Sequence, residues 1–249
     1  MLKKSSAVLA ILILSALPVL AQYEGEIRFN VYDPDRMNEG NVIMAMTFAE
    51  DRIFLDTNVS LNVMAGLQAR GFLVRNDMDD MMIITAENEA LKVAKSEIES
   101  LAMLIDRVKG NRENSAPEPF PWEERVVQTG ETRDFHGYTA EKFSVKGNRE
   151  GEYAEVWLTE EISVDWGLLL DAWYNIGVRQ FDQEVQIEVL MNQQSFPMLI
   201  EAYRDNRVVF RAESVYENSD TFDRSKSNLP SSTKVIGLTD LMMSIFMQN

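Results

Sequence analysis

Short apolar runs, broken every few residues by Asp, Asn, Gly or Glu, occupy the N-terminal part of the chain and limit what it can fold into. In the first run, YEGEIRFNVYD, apolar and polar residues alternate with the two-residue period of a strand buried on one face. Five more runs follow at close spacing: NVIMAMTF, RIFLD, VSLNVMAG, GFLVRN and MMIITA. Turn residues between such runs are typical of hairpins. The pattern predicts a meandering antiparallel sheet.

After Asn88 the apolar residues recur at spacings of three and four, which predicts an amphipathic helix of about five turns. Asn88 is its expected N-cap and Gly110 its expected end. The apolar positions of this helix are Leu91, Ala94, Ile98, Leu101, Ala102, Ile105 and Val108. The next segment, NRENSAPEPFPW, contains three prolines and is predicted to be a loop.

Strand patterns resume in ERVVQTGE, in TGETRDFHGYTAEKFSV and in EYAEVWLTEE. A second helix is predicted from Trp166 to Tyr174, with Asp165 as its cap and Gly177 beyond its end. The segment VQIEVL alternates like a strand, with inward positions at Val185, Ile187 and Val189.

The C-terminal part contains two more strand patterns and a helix pattern. PMLIEAYRDNRVVFRAESVYE predicts two strands joined by a turn at Asp205 and Asn206. LTDLMMSIFMQN predicts a short helix capped by Thr239. Long series of strands with few isolated amphipathic helices favour one α+β domain, in which a strongly curved antiparallel sheet of about 10–12 strands partly encloses two or three helices.

The N-terminus has the features of a secretory signal peptide. Lys3 and Lys4 precede AVLAILILSALPVLA, an apolar run too short for a comfortable bilayer span. Small residues at Val19 and Ala21 predict cleavage after Ala21, so residues 1–21 form the leader and 22–249 the mature domain. An uncleaved anchor is the alternative. No cysteine stands near the site, which excludes lipidation there, and the expected location is periplasmic or secreted.

Charge and cysteine content narrow the class of protein. Without the two leader lysines, 22 basic residues face 40 acidic ones, a net charge of −18. Such a chain is not expected to bind nucleic acid or an anionic membrane surface. The chain has no cysteine, so its fold depends on apolar burial even in an oxidising compartment.

The segment TGETRDFHGYTAEKFSVK, followed by EYAEVWLTEEI, contains the motifs by which the chain resembles a known family. These residues are similar to bacterial envelope proteins of domain-of-unknown-function family 4412, which have a Thr-Gly-Glu-Thr element, a Gly-Tyr turn and a Glu-Val-Trp strand in the same order. The resemblance is concentrated in residues 129–159 and extends more loosely to YEGEIRF and LKVAKSEIESLAML. It implies the half-open barrel of outer-membrane lipoprotein carriers, a sheet wrapped around helices with an apolar cleft. It implies no catalytic residue.

His136, the only histidine, lies in this segment. Gly130 and Gly137 allow turn conformations, so Phe135-His136-Gly137 is predicted to be a hairpin turn with the imidazole at its tip. The parity of apolar residues changes between Tyr138 and Phe143, which predicts a bulge. No Gly-x-Ser-x-Gly elbow or phosphate-binding glycine loop accompanies the histidine. The chain is therefore expected not to be an enzyme.

Metal sites and cofactors are not expected either. One histidine and no cysteine cannot form a usual zinc site. The adjacent carboxylates Glu160 and Glu161, or Asp79 and Asp80, point to opposite faces of a strand and do not converge. DMDD lacks the ligand spacing and glycine of a calcium loop. Copper(I) would need Met-x-x-Met repeats or a neighbouring histidine, whereas this spacing occurs once, at Met78 and Met81, without a histidine nearby in the sequence.

The fourteen methionines and the aromatic helix at Trp166 to Tyr174 suggest either a well-filled core or a wall that accepts apolar ligands. The predicted function is a binding protein that holds an acyl chain, lipid or lipidated peptide between sheet and helices. Its predicted contacts are Phe29, Met44, Met46, Leu170 and Trp173. The alternative is a structural or interaction protein of the envelope, with a filled core and an acidic surface that meets a protein partner.

Overall fold

A computed structural model describes residues 22–32, 42–64, 67–86, 88–98, 100, 121–172, 187–191 and 194–247. Twelve strands form one open sheet. They are β1 (Gly25–Tyr32), β2 (Val42–Ala49), β3 (Arg52–Met64), β4 (Leu67–Arg75), β5 (Asp80–Ala86), β6 (Glu89–Ala94), β7 (Val126–Phe135), β8 (Tyr138–Lys146), β9 (Glu152–Thr159), β10 (Phe196–Arg204), β11 (Arg207–Asn218) and β12 (Lys234–Gly237). The prediction of a large, mainly antiparallel sheet is confirmed.

The sheet consists of two meanders joined in the middle. Its order is β12-β6-β5-β4-β3-β2-β1-β11-β10-β9-β8-β7. Strands β1 to β6 form the first wing and β7 to β11 the second, and β1 pairs antiparallel with β11 at the junction. The chain then returns to the far edge, where β12 pairs parallel with β6. The N-terminal strand is therefore central.

Helices are few and short in the described part of the chain. They are α1 (Trp122–Arg125), α2 (Gly167–Ala172), α3 (Ile187–Leu190) and α4 (Leu238–Met247). None of the described helices has the length and apolar character needed to cross a bilayer. The predicted second helix is confirmed over Gly167–Ala172, where Asp165 Oδ1 accepts a hydrogen bond from Gly167 N at 3.0 Å. Thr239 is the second residue of α4 and not its cap.

Both predicted hairpin turns are confirmed. Asp205 and Asn206 connect β10 to β11 with positive φ values of 51° and 60°. His136 and Gly137 connect β7 to β8 with φ values of 56° and 89°. Two consecutive left-handed residues match the twist of the strands that they join. The bulge predicted between Tyr138 and Phe143 is present in the pairing of β7 with β8, but the extra residues lie on β7, between Gln128 and Thr132.

The predicted helix from Asn88 to Gly110 is wrong at its start, because Glu89–Ala94 form strand β6. Leu91 and Val93 are buried in the main core, and β6 pairs with β5 on one side and β12 on the other. Leu91, Ala94 and Ile98 fit a helical period, but two neighbouring strands provide hydrogen bonds that a helix would forgo. Lys95–Glu97 form a short 3-10 turn. Residues 101–110 lie outside the described residues.

Two strand predictions are also corrected. RIFLD and VSLNVMAG are not separate strands, because both belong to the thirteen-residue β3 up to Met64. The inward strand predicted at Val185, Ile187 and Val189 is wrong, since Ile187–Leu190 form α3 and Val189 is buried there. A pattern this short does not distinguish a strand from a helical turn. Residues 181–186 lie outside the described residues.

The two faces of the first wing are covered differently. We call the core face the one that presents Ile27, Phe48 and Ile53, which belong to the main buried cluster. The opposite back face presents a small cluster of Leu73, Met82 and Ala90. Residues 219–233, which we call the strap, lead from β11 to β12, and Leu229 of the strap packs on this small cluster.

Ion pairs attach the strap to the back face. Lys226 Nζ lies 2.5 Å from Glu26 Oε2, and the Glu26 side chain is almost fully buried. Burial by itself would raise the pKa of Glu26, but hydrogen bonds from Lys226 and Arg28 outweigh it and hold the pKa below its usual value. Arg224 pairs with Glu24 at the same 2.5 Å distance, but here the Arg224 side chain is exposed and that of Glu24 partly exposed.

Lys226→Met is expected to lower the free energy of unfolding by about 1–3 kcal/mol at neutral pH, because Glu26 loses one of its two cations while it stays buried. Arg224→Met removes an exposed pair from the same strap and is expected to cost less than about 1 kcal/mol. Urea unfolding followed by circular dichroism measures both effects. Equal losses in the two variants would contradict the assignment.

The pH dependence of this effect has a definite sign. A carboxyl with a lowered pKa stabilises the fold above its unfolded value of 4.5, and this contribution is lost as the pH falls through the folded value. The difference between wild type and Lys226→Met is therefore expected to shrink when unfolding is repeated at successively lower pH values below 4.5, because protonation of Glu26 removes the charge that needs a cation. A difference that grows at low pH would contradict this.

Candidate functional site

The predicted ligand contacts divide into two groups in the structure. Phe29 and Met46 are only 2% and 4% exposed and belong to the closed core. Met44 and Leu170 are partly exposed and pack against that core from its margin. Trp173 lies outside the described residues. Phe29 and Met44 are neighbours across β1 and β2. The structure therefore brings Phe29, Met46 and Met44 together on one face.

Aromatic rings fill the core beside Phe29. The rings of Phe196 and Trp166 stack with an interplanar angle of 6° and centroids 5.8 Å apart. Phe48 meets Phe196 edge to face at 5.8 Å and Trp166 at 6.1 Å. Phe29 lies 6.1 Å from Phe196. These separations are those of rings in contact, so this end of the core face is packed with the chain's own side chains.

Further along the same strands the core face carries partly exposed apolar side chains. Because side chains alternate along a strand, residues two positions from a core residue lie on the same face. Met44 lies two residues from Met46 in this way, Leu55 two from Ile53, and Phe72 two from Val74. We call the outer strip the set of partly buried residues Val31, Met44, Leu55, Phe72 and Phe210. It continues the apolar surface of the core toward solvent.

Leu170 lies in different surroundings. It lines a polar cleft of about 290 Å³ together with Asn76, Asp79, Lys95, Asp165, Gly167, Leu168 and Asp171. Asn76 Oδ1 accepts a hydrogen bond from Leu168 N at 3.0 Å, and Lys95 Nζ lies 3.4 Å from Asp171 Oδ2. The groups in this cleft pair with one another and suit a solvated surface better than an apolar ligand. The structure therefore does not place Leu170 in the outer strip.

His136 forms the predicted turn, and its ring reaches back to the sheet. Nε2 lies 3.0 Å from the carbonyl oxygen of Ser214. A carbonyl only accepts hydrogen bonds, so this nitrogen donates. The carbonyl is available because β10 pairs with β11 no further than Glu213. The ring thus engages the main chain of Ser214, which is a contact that holds the hairpin in place.

A second contact of this hairpin involves two phenols that share one carboxylate. Tyr23 Oη donates to Glu217 Oε1 at 2.7 Å, and Tyr138 Oη donates to the same oxygen at 3.3 Å. Burial, followed by the nearby Glu217, raises the pKa of both Tyr23 and Tyr138. Both phenols therefore stay protonated and can donate over the physiological range. A Cβ added to Gly25 would lie 2.3 Å from Tyr23 Oη, so the phenol needs glycine there.

Sequence reasoning missed this cluster. Tyr23 and Glu217 are 194 residues apart in the chain, and no local sequence pattern links them. Only the central pairing of β1 with β11 brings them together, and nothing in the local pattern of either strand indicates that pairing. The cluster links the residues before β1 to β11 and to the β7–β8 hairpin. Its role is therefore structural.

The carboxylate pairs of the sequence do not form a reactive or metal-binding centre in the described part of the chain. Asp80 is buried and bound by Arg75 and Lys92, whereas Asp79 is exposed in a left-handed turn with a φ of 49°. Glu161 Oε1 accepts a hydrogen bond from Thr139 N at 2.8 Å. Among the described residues no three acidic or histidine side chains are grouped to hold a metal.

Comparisons with known proteins give little further guidance. No protein-family model matches the chain, and a search of curated proteins gives no match. Two solved structures of PNGF-II, in space groups P21 and C2, align with 89% of this chain at 12% and 13% identity, each with a TM-score of 0.41. This chain spans 33% and 32% of the length of those chains. The resemblance to family 4412 stays a prediction.

Proposed function

We propose that the protein is a non-enzymatic binding protein of the cell envelope that holds an acyl chain or another apolar ligand on the outer strip of the core face. The observation that carries the proposal is the continuity of partly exposed apolar side chains, from Met44 through Leu55 to Phe72, next to a closed core. Contact between such a strip and a ligand would remove apolar surface from water, at about 25 cal/mol per Å².

The strip differs from the packed end of the same face in a way that suits a ligand. At the packed end Phe196 and Trp166 already cover Phe29 and Phe48. At the strip, the side chains of Met44 and Phe72 keep part of their surface exposed. Flexible thioethers such as that of Met44 adapt to ligands of different shape. The proposed contacts are therefore Met44, Leu55 and Phe72.

The proposal includes the finer features of the predicted fold. A strongly curved sheet, as in the half-open barrel of lipoprotein carriers, would bring Val31 of β1 and Phe210 of the second wing around the ligand. Export by the leader of residues 1–21 would place the protein in the periplasm or outside the cell. The resemblance of residues 129–159 to family 4412 supports both features, because members of that family are envelope proteins whose pattern resembles that of the half-open barrels.

Met44→Gln is expected to weaken binding of a fluorescent fatty-acid analogue to delipidated protein about tenfold, because an amide replaces a thioether of similar length in an apolar contact. Fluorescence titration measures the dissociation constant. Native mass spectrometry of the purified protein before delipidation is expected to show a bound lipid.

The matched control is Val127→Asn, which changes an apolar residue that is 62% exposed on edge strand β7 and lies off the strip. This variant is expected to bind the analogue as wild type does. The proposal fails if delipidated wild-type protein does not bind the analogue, or if the two variants lose affinity equally. Urea unfolding of both variants separates a binding defect from a folding defect.

A second function is favoured by the packed aromatic end of the core. If the apolar interior is filled throughout, the protein acts as an interaction protein whose acidic surface meets an envelope partner. A partner recovered from envelope extract at low salt and released at high salt, with Met44→Gln as effective as wild type, would support this function. Surface ion pairs weaken as salt rises, whereas apolar contacts do not.

A further inference from the structure

Tyr23 is held by its backbone, its hydroxyl group and its ring. Its backbone N donates to the carbonyl oxygen of Ser163 at 2.8 Å, and its phenol donates to Glu217 at 2.7 Å. Its ring meets Phe48 edge to face at 5.7 Å. Gln22, the preceding residue, makes no hydrogen bond within the part of the chain that the structure describes. Within the described chain, the hydrogen bonds at this end therefore begin at the residue after Gln22.

We propose that Gln22 becomes the N-terminal residue on export and cyclises to pyroglutamate. This inference rests on the exported state included in the proposed function. Cleavage after Ala21 leaves a free α-amine on a residue whose own side chain is a primary amide. A five-membered lactam then closes between the two groups. Gln22 is thus a modification site.

The reaction balances without any co-reactant. The neutral α-amine attacks Cδ of the Gln22 side chain, a bond forms between the α-nitrogen and Cδ, and the bond from Cδ to the amide nitrogen breaks. The amide nitrogen leaves as ammonia after taking up the proton that the α-nitrogen gives up. With an ordinary α-amino pKa of about 7.7–8.0, a usable fraction of the amine is neutral near pH 7.

The geometry allows this reaction in the folded protein. The backbone N of Tyr23, which stays bonded to Ser163, takes no part in the closure. The Gln22 amide is free to turn back on its own amine because it has no described hydrogen-bond partner to give up. Closure removes the terminal positive charge and blocks the N-terminus, so the exported protein is expected to resist aminopeptidases.

Intact mass spectrometry and amine labelling of protein exported with its own leader test the inference. The expected mass is that of residues 22–249 less one molecule of ammonia, with an N-terminal peptide that does not label. Gln22→Asn is the matched control, because its amide is one methylene closer and would have to close a strained four-membered ring. This variant is expected to keep a labelled amine.

Each other outcome contradicts a different step. A mature chain that begins at Gln22 and still carries a labelled amine after prolonged incubation at neutral pH overturns the cyclisation alone. A chain that retains its leader, or begins at another residue, overturns the export step and with it this inference. Ligand binding is measured separately, so a failure of the binding proposal is distinguishable from both results.

Discussion

Phe196→Ala is expected to lower the free energy of unfolding by about 3–5 kcal/mol, the range for deletion of a buried aromatic side chain. Phe196 is fully buried and contacts the rings of Trp166, Phe48 and Phe29. Its removal leaves a cavity between rings on several strands, and hydrogen-bonded strands cannot move together to close it. Urea unfolding followed by circular dichroism measures the loss.

The control for this change is Val127→Ala, which is expected to stay within about 0.5 kcal/mol of wild type because Val127 is exposed. Phe196→Leu keeps most of the apolar volume and remains measurable if the alanine variant does not fold. A loss below about 1 kcal/mol for Phe196→Ala would show that the ring cluster is not close-packed. That result would favour an open interior at this end of the core face.

Asp80→Ala is expected to cost about 3–5 kcal/mol, the range for a buried ion pair that loses one partner. The Asp80 side chain is 2% exposed, and its two oxygens each lie 2.6 Å from a nitrogen of Arg75. Lys92 Nζ approaches to 3.1 Å. Without the carboxylate, the largely buried Arg75 guanidinium has lost both of these hydrogen bonds. Thermal or urea unfolding measures the effect.

Asp77→Ala is the matched control. Its carboxylate also makes two contacts to one arginine, at 2.7 and 3.1 Å from Arg52, but a third of its side chain is exposed. Water screens that pair, so the expected loss is below about 1 kcal/mol. Similar losses from the two variants would contradict the argument from burial. Asp80→Asn, which keeps the volume, provides a milder test if Asp80→Ala does not fold.

The features predicted well from the sequence are those that local chemistry decides. The turns at Asp205-Asn206 and His136-Gly137 are predictable because few residues adopt a positive φ. The alternation in β1 predicts that Ile27 and Phe29 share a face, and both are buried in the core. The helix predicted from Asn88 was wrong because Leu91 fits both periods. Residues 89–94 form a strand because they pair with β5 and β12. β12 is only four residues long, so its own sequence gives little indication of this pairing.

The candidate site was predictable in part. Phe29, Met44 and Met46 were identified as apolar side chains on one face. Whether that face is covered or open depends on Phe196 and Trp166, which come from distant parts of the chain and carry no local signal of where they pack. Helical spacing predicts that Leu170 lines the same cleft from the helix side, but its polar neighbours Asn76 and Lys95 come from the first wing. Which of the predicted contacts lie on an open apolar surface therefore depends on long-range packing, which residue spacing does not reveal.

The central position of β1 affects how the chain can assemble. Strands β1 to β6 are synthesised first, but β1 gains its outer neighbour only with β11, and β6 gains its own only with β12. During synthesis the partial sheet of β1 to β6 therefore has two edge strands with unpaired backbone N–H and C=O groups. Such edges can pair with other chains and promote aggregation. Such late closure slows folding. Newly made molecules would benefit from a chaperone until their C-terminal strands arrive.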